Sequence, residues 1–117
     1  MKIRIDPLDT LFSRLVRLLA NGKCEHCGRN KRLECSHFHG RRKLSTRWDL
    51  LNAAALCFSC HRYFQENPYQ HTEWFKRRLG TERFEELNIR AEMILKPDKD
   101  KIKADLKEKI QLLSICS

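Results

Sequence analysis

Two CxxC pairs, Cys24/Cys27 and Cys57/Cys60, bracket a stretch that carries His37, His39 and Asn52, and His61 directly follows the last cysteine. Four thiolates at this spacing match a tetrahedral Cys₄ zinc site, which is closed and has no open coordination position. Such an ion organises the chain rather than reacting, so the chemistry falls to the histidines. His37, at the end of a candidate strand, has the near-neutral pKa a general base needs, provided an acceptor holds its other ring nitrogen. His61, on the first turn of a candidate helix, would point back at the same spot and bind one divalent cation. Asn52, between strand and helix, suits an orienter of that imidazole or of the loop itself. A base beside an open-coordinated cation is what hydrolysis of a phosphodiester requires.

The charge distribution names a partner for that chemistry. The 117 residues carry a formal net charge of +9. Residues 21–48 hold eight Lys/Arg against Glu25 and Glu34 alone, whereas residues 71–117 are nearly balanced. A basic surface clustered around a His-rich segment attracts polyanions, DNA above all. The loop cations Arg41, Arg42, Lys43 and Arg47 would clamp the DNA backbone through charge-assisted contacts to phosphates. Lys76, Arg77 and Arg78 either extend that surface or form an ordinary charged helix face. No apolar run approaches the ~20 residues of a membrane span, and no signal peptide is read at the N-terminus. Paired CxxC spacing then implies reduced thiols and a cytoplasmic protein.

The elements that must position these residues follow from periodicity. Asp6, Pro7 and the Asn21-Gly22 stop frame a helix over 6–22, with Leu8, Leu11, Phe12, Leu15, Val16, Leu18 and Leu19 on one face. Arg32–Phe38 reads as a strand, 40–46 as a basic loop and 49–56 as an irregular approach to the second knuckle. A helix from Phe58 should stop before Pro68. Further helical segments are expected around Thr72–Leu79, from Thr81 towards Pro97 with Ile94 and Leu95 on its apolar stripe, and around Ile102, Leu106, Ile110 and Leu113. Trp48 is expected beneath the loop, Cys35 as a small buried hydrophobe, His71 at the surface, and Cys116 as an inert tail thiol.

The order CxxC, Ser36-His37, Asn52, Cys57-x-x-Cys60-His61 resembles the HNH endonucleases, the ββα-metal or His-Me finger class, in its zinc-ribbon branch. Within that class it is most similar to the phage NinG/Rap-type nucleases, which share the C-x-H-F strand end, a later D-x-x-N and the C-x-x-C-[HN]. The resemblance covers roughly residues 22–68. It implies an α+β fold, a zinc-bound ββα-metal finger (23–68) flanked by an N-terminal helix (6–22) and a helical C-terminal extension (69–117) in one domain. It selects His37 over His39 as the base and implies catalytic Mn²⁺ or Mg²⁺ beside structural Zn²⁺. The class places a further metal ligand just before the base, here Ser36, and some members add a His where this chain has Gln65. Asp49 is the nearest carboxylate in sequence to compensate, directly or through a water. The implied activity is DNA cleavage, one strand per site, by a monomer or weak homodimer. Alternatives are a structure-selective nuclease of branched or flap DNA and a non-catalytic zinc-knuckle module that only binds nucleic acid.

Overall fold

The computed structural model describes residues 3–115, so Cys116 lies outside the described residues. Helix α1 (Pro7–Leu19) starts in a capping box. The Asp6 carboxylate accepts the Leu8 N–H (2.9 Å), while Asp9 accepts the Asp6 N–H (2.8 Å), which satisfies two donors that a helix start leaves orphaned. Asn21 and Gly22 leave α1 with φ of 55° and 69°, a left-handed stop that favours just these residue types.

Strand β1 (Leu33–His37) pairs antiparallel with β2 (Ala53–Cys57), placing Leu33 opposite Cys57 and His37 opposite Ala53. Helix α2 (Phe58–Glu66) follows β2 without a break, and α3 (Pro68–Leu79), α4 (Thr81–Glu92) and α5 (Lys99–Ile115) complete the chain. The molecule is an α+β fold of five helices and one two-stranded sheet among the described residues. No helix among these is long and apolar enough to cross a membrane.

The sheet is covered on both faces. On one side Leu8, Phe12, Leu15 and Val16 of α1 pack with Leu106 and Ile110 of α5 against Ala53 and Ala55. On the other, Ala54 and Leu56 meet Phe64, Phe75 and Phe84 from α2, α3 and α4. Phe12 and Phe75 are fully buried, and truncating either to alanine should cost about 3–5 kcal/mol.

Three expectations need correction. Residues 49–56 are not irregular: a 3₁₀ turn (Leu50–Asn52) leads straight into β2. Every residue of β2 is buried, so the alternation that betrays a half-exposed strand is missing, and alanine is a poor β-former. Those small side chains let helices approach from both faces. Helix α4 ends at Glu92, with Met93 extended and Ile94 and Leu95 exposed rather than on a core stripe. Pro97 offers no N–H and disfavours helix just before it, so the chain unwinds early. His71 is not a surface residue. Its ring stacks on Phe64 (5.3 Å) and meets Phe75 edge-on (5.1 Å), with Nε2 buried and without a hydrogen-bond partner. Burial, and secondarily the charge of His61, hold its pKa below the ordinary histidine value.

Candidate metal centre and cleft

The first knuckle turns at Gly28, where φ is +82°, and closes through Gly28 N–H to Cys24 O (2.9 Å) and Cys24 N–H to Arg29 O (2.7 Å). Cys57 serves as N-cap of α2. In each pair the second cysteine's N–H points at the first one's sulfur, 3.5 Å for Cys27 to Cys24 and 3.4 Å for Cys60 to Cys57. The four Sγ atoms all lie within 4.8 Å of one another. A tetrahedron with Zn–S bonds of ~2.3 Å has edges of about 3.8 Å, and Cys27 and Cys57 are 3.6 Å apart. Burial opposes ionisation of Cys24, but backbone N–H groups of Cys27, Cys57 and His26 outweigh it and bring the thiol down to about 7. This cluster can hold a metal ion such as zinc. His26, inside the first knuckle, places Nδ1 3.2 Å from the Cys60 sulfur and packs edge-on against Phe64. It was not singled out in the sequence, where it reads as knuckle filler.

Beside the outer edge of β1 lies an open cleft of about 800 Å³, whose walls include Asp9, Glu34, His37, Arg41, His61 and Gln65. His37 closes β1, with its ring near Phe12 and its Nε2 3.0 Å from the Arg47 carbonyl oxygen. That carbonyl can only accept, so Nε2 carries the proton and Nδ1 keeps its lone pair. Burial depresses the His37 pKa and the charge of Arg41 adds to this, against the opposing pull of the Arg47 carbonyl. Burial thus favours the neutral imidazole.

His61 stands in the first turn of α2, its Nδ1 2.8 Å from Glu34 Oε1. A carboxylate on one ring nitrogen fixes the tautomer and frees the other to bind a metal. Glu34 is the residue that sequence reasoning passed over. The signal was strand alternation: Glu34 shares a sheet face with Ser36, opposite Leu56 and Ala54, the face that α2 covers.

Asn52 does not direct its side-chain hydrogen bonds to the His37 imidazole. It is fully buried and staples the loop, its Oδ1 accepting the His39 N–H (2.7 Å) and its Nδ2 donating to His39 O (2.9 Å) and Thr46 O (3.0 Å). His39 turns its Nε2 towards Asn88 of α4 (2.9 Å).

Two proposed ligands lie elsewhere. Ser36 is buried against the sheet's other face, because neighbours on a strand point to opposite sides. Asp49 caps the 3₁₀ turn through Leu51 N–H and pairs with Arg90 (2.7 Å), lining a separate cleft between the loop and α5.

The loop cations also divide. Arg47 is buried and grips Asp9 with both Nε (3.1 Å) and Nη2 (2.6 Å), and Nη2 also donates to Arg4 O. Trp48 donates its indole N–H to the same carboxylate (3.0 Å). Burial works against the Asp9 anion, yet the Arg47 hydrogen bonds hold its pKa below the usual carboxylate range. Arg47 is thus a structural strut: its side chain anchors the segment whose carbonyl holds His37. Lys43 is drawn to Ala91 O and Glu92 of α4. Arg78 is committed to Glu25 (2.8 Å). Arg41 lies 3.7 Å from Asp9 on the cleft wall, and Arg42 is exposed. Cys35, half-buried on the same wall, has its thiol pushed up to about 12 by burial and is a poor nucleophile.

No protein-family profile matches the chain, and no curated protein or solved structure is found to be similar to it.

Proposed function

We propose that the chain is a metal-dependent DNA endonuclease of the HNH kind, with β1, β2 and α2 as the ββα-metal finger. The observation that carries this reading is that His37 and His61, 24 positions apart in sequence, line one cleft, each with one ring nitrogen already held. Glu34 and His37 are three residues apart on β1, about 10 Å along the strand. The two point to opposite sides of β1, and both reach the cleft at the strand's edge.

The roles follow from the donors present. The Cys₄ cluster holds structural Zn²⁺. His61, with Glu34 on its Nδ1, would hold a divalent cation such as Mn²⁺ or Mg²⁺ through Nε2. When bound, that ion neutralises charge on the scissile phosphate and the leaving 3′ oxygen. His37 Nδ1 takes a proton from water as the new P–O bond forms and the P–O3′ bond breaks. The proton stays on the ring as an imidazolium, whose Nε2–H donation to the Arg47 carbonyl becomes stronger as charge develops. Asn52 and the Asp9–Arg47 pair are positioning groups. One such site cuts one strand, so a monomer nicks.

A second reading has its own support. With Ser36 and Asp49 outside the cleft, few protein ligands remain for a catalytic ion, as in a zinc-knuckle module that binds nucleic acid without cutting it. Supercoiled plasmid incubated with the protein and Mn²⁺ or Mg²⁺ separates the two. The nuclease reading expects open-circle product that His37→Ala abolishes. Retardation of the plasmid without nicking under any divalent ion sinks it and leaves the binding module.

A further inference from the structure

The cations that the sequence offers most visibly are partly spent inside the protein. Arg47 is locked on Asp9 and Lys43 is drawn to α4. The cleft that contains His37 is instead walled by α1, which contributes Thr10, Ser13 and Arg17. These three positions follow one another at three- and four-residue spacing and so share a helix face. Arg17 is exposed, its Nε donates only within its own helix, to Ser13 O (3.2 Å), and no acid holds it among the described residues. Both carboxylates of the cleft are engaged by neighbouring side chains. Asp9 is neutralised by Arg47, with Arg41 close by, and Glu34 is bonded to His61.

We propose that α1 is one wall of the DNA track, with Arg17 gripping a backbone phosphate beside the one presented to His37 and with Thr10 and Ser13 supplying hydroxyl donors along it. This deepens the nuclease reading and rests on it for the location of the scissile bond. From Thr10 to Arg17 the helix advances about 10 Å, long enough to follow more than one phosphate of a strand. Arg41 faces the same cleft from the loop, so the strand would meet a second arginine there.

The test is fluorescence anisotropy of a labelled duplex over a salt series, with zinc-replete protein and no added divalent ion, so that binding is read without cleavage. Arg17→Ala is expected to raise Kd about fivefold and to lower the salt slope by about one. Arg83→Ala, an exposed arginine on α4 outside the cleft, is expected to change neither. An unchanged Kd and slope for Arg17→Ala, or an equal loss for Arg83→Ala, overturns the track. The plasmid assay keeps the two ideas apart. If wild type nicks but Arg17→Ala binds normally, only the track falls. If wild type binds through Arg17 but never nicks, only the nuclease reading falls.

Discussion

Replacing Asn52 by alanine should cost stability before it costs chemistry. The side chain is fully buried and makes three hydrogen bonds, all to loop backbone: one accepted from His39 N–H and two donated to His39 O and Thr46 O. A typical buried hydrogen bond contributes about 1 kcal/mol net, and stranding a buried partner adds about 1–3 kcal/mol. Thr46 is buried and His39 half-buried, so water can rescue part of the loss. The expected cost is about 3 kcal/mol, a sizeable share of the 5–15 kcal/mol typical of domains. For 117 residues that corresponds to a fall in Tm of roughly 10 °C. Asn52→Asp should be at least as damaging, because it keeps the acceptor but turns a carboxylate oxygen towards two carbonyls. Urea denaturation of wild type and both variants, with zinc present throughout, measures this. A loss below about 0.5 kcal/mol for Asn52→Ala would refute the stapling role, and so would an aspartate variant of wild-type stability.

Three other outcomes follow. Asp9→Asn leaves the buried Arg47 guanidinium without its counter-charge and should cost about 3 kcal/mol, at the low end for a broken buried pair because Asp9 keeps some solvent contact; a Tm within 1–2 °C of wild type would contradict it. His37 has a depressed folded-state pKa, so its contribution to stability is full above the unfolded value of ~6.5 and is lost as pH falls through that value towards the folded one. The denaturation midpoint should therefore fall between pH 7 and pH 5 by less in His37→Gln than in wild type, while the acid limb of any cleavage profile should lie below pH 6.5. Replacing Cys24 or Cys57 by alanine, or stripping metal with a strong chelator, should unfold the knuckle region; circular dichroism and zinc content read this, and a folded, zinc-loaded variant would contradict it.

How much was legible in the sequence varies with the physics involved. Cysteine spacing carries its own geometry, so the metal centre could be read from four letters and two intervals. Helix α1 was legible because its capping residues and stripe are local. Strand β2 was not, since its burial comes from helices distant in sequence and AAAL carries no alternation. The loop cations divide for a related reason. Whether an arginine faces solvent or a buried carboxylate depends on Asp9, 38 residues upstream of Arg47, and no spacing rule reports such a pairing. Asn52 was legible as an orienter of the imidazole or of the loop, and its hydrogen bonds go to the loop backbone. Glu34 was missed because a single glutamate in a strand reads as ordinary surface until the register sets it against His61.

In the proposed nuclease, water is activated at His37 Nδ1 in a cleft that also contains His61. Single-turnover cleavage of a labelled duplex, with wild type and His37→Ala at protein concentrations that saturate binding for both, tests it most directly. Wild type should cleave with Mn²⁺ or Mg²⁺, and His37→Ala should lose at least about 100-fold in rate, with DNA affinity unchanged. Equal rates for the two proteins, or no cleavage by wild type while it binds DNA, would contradict it.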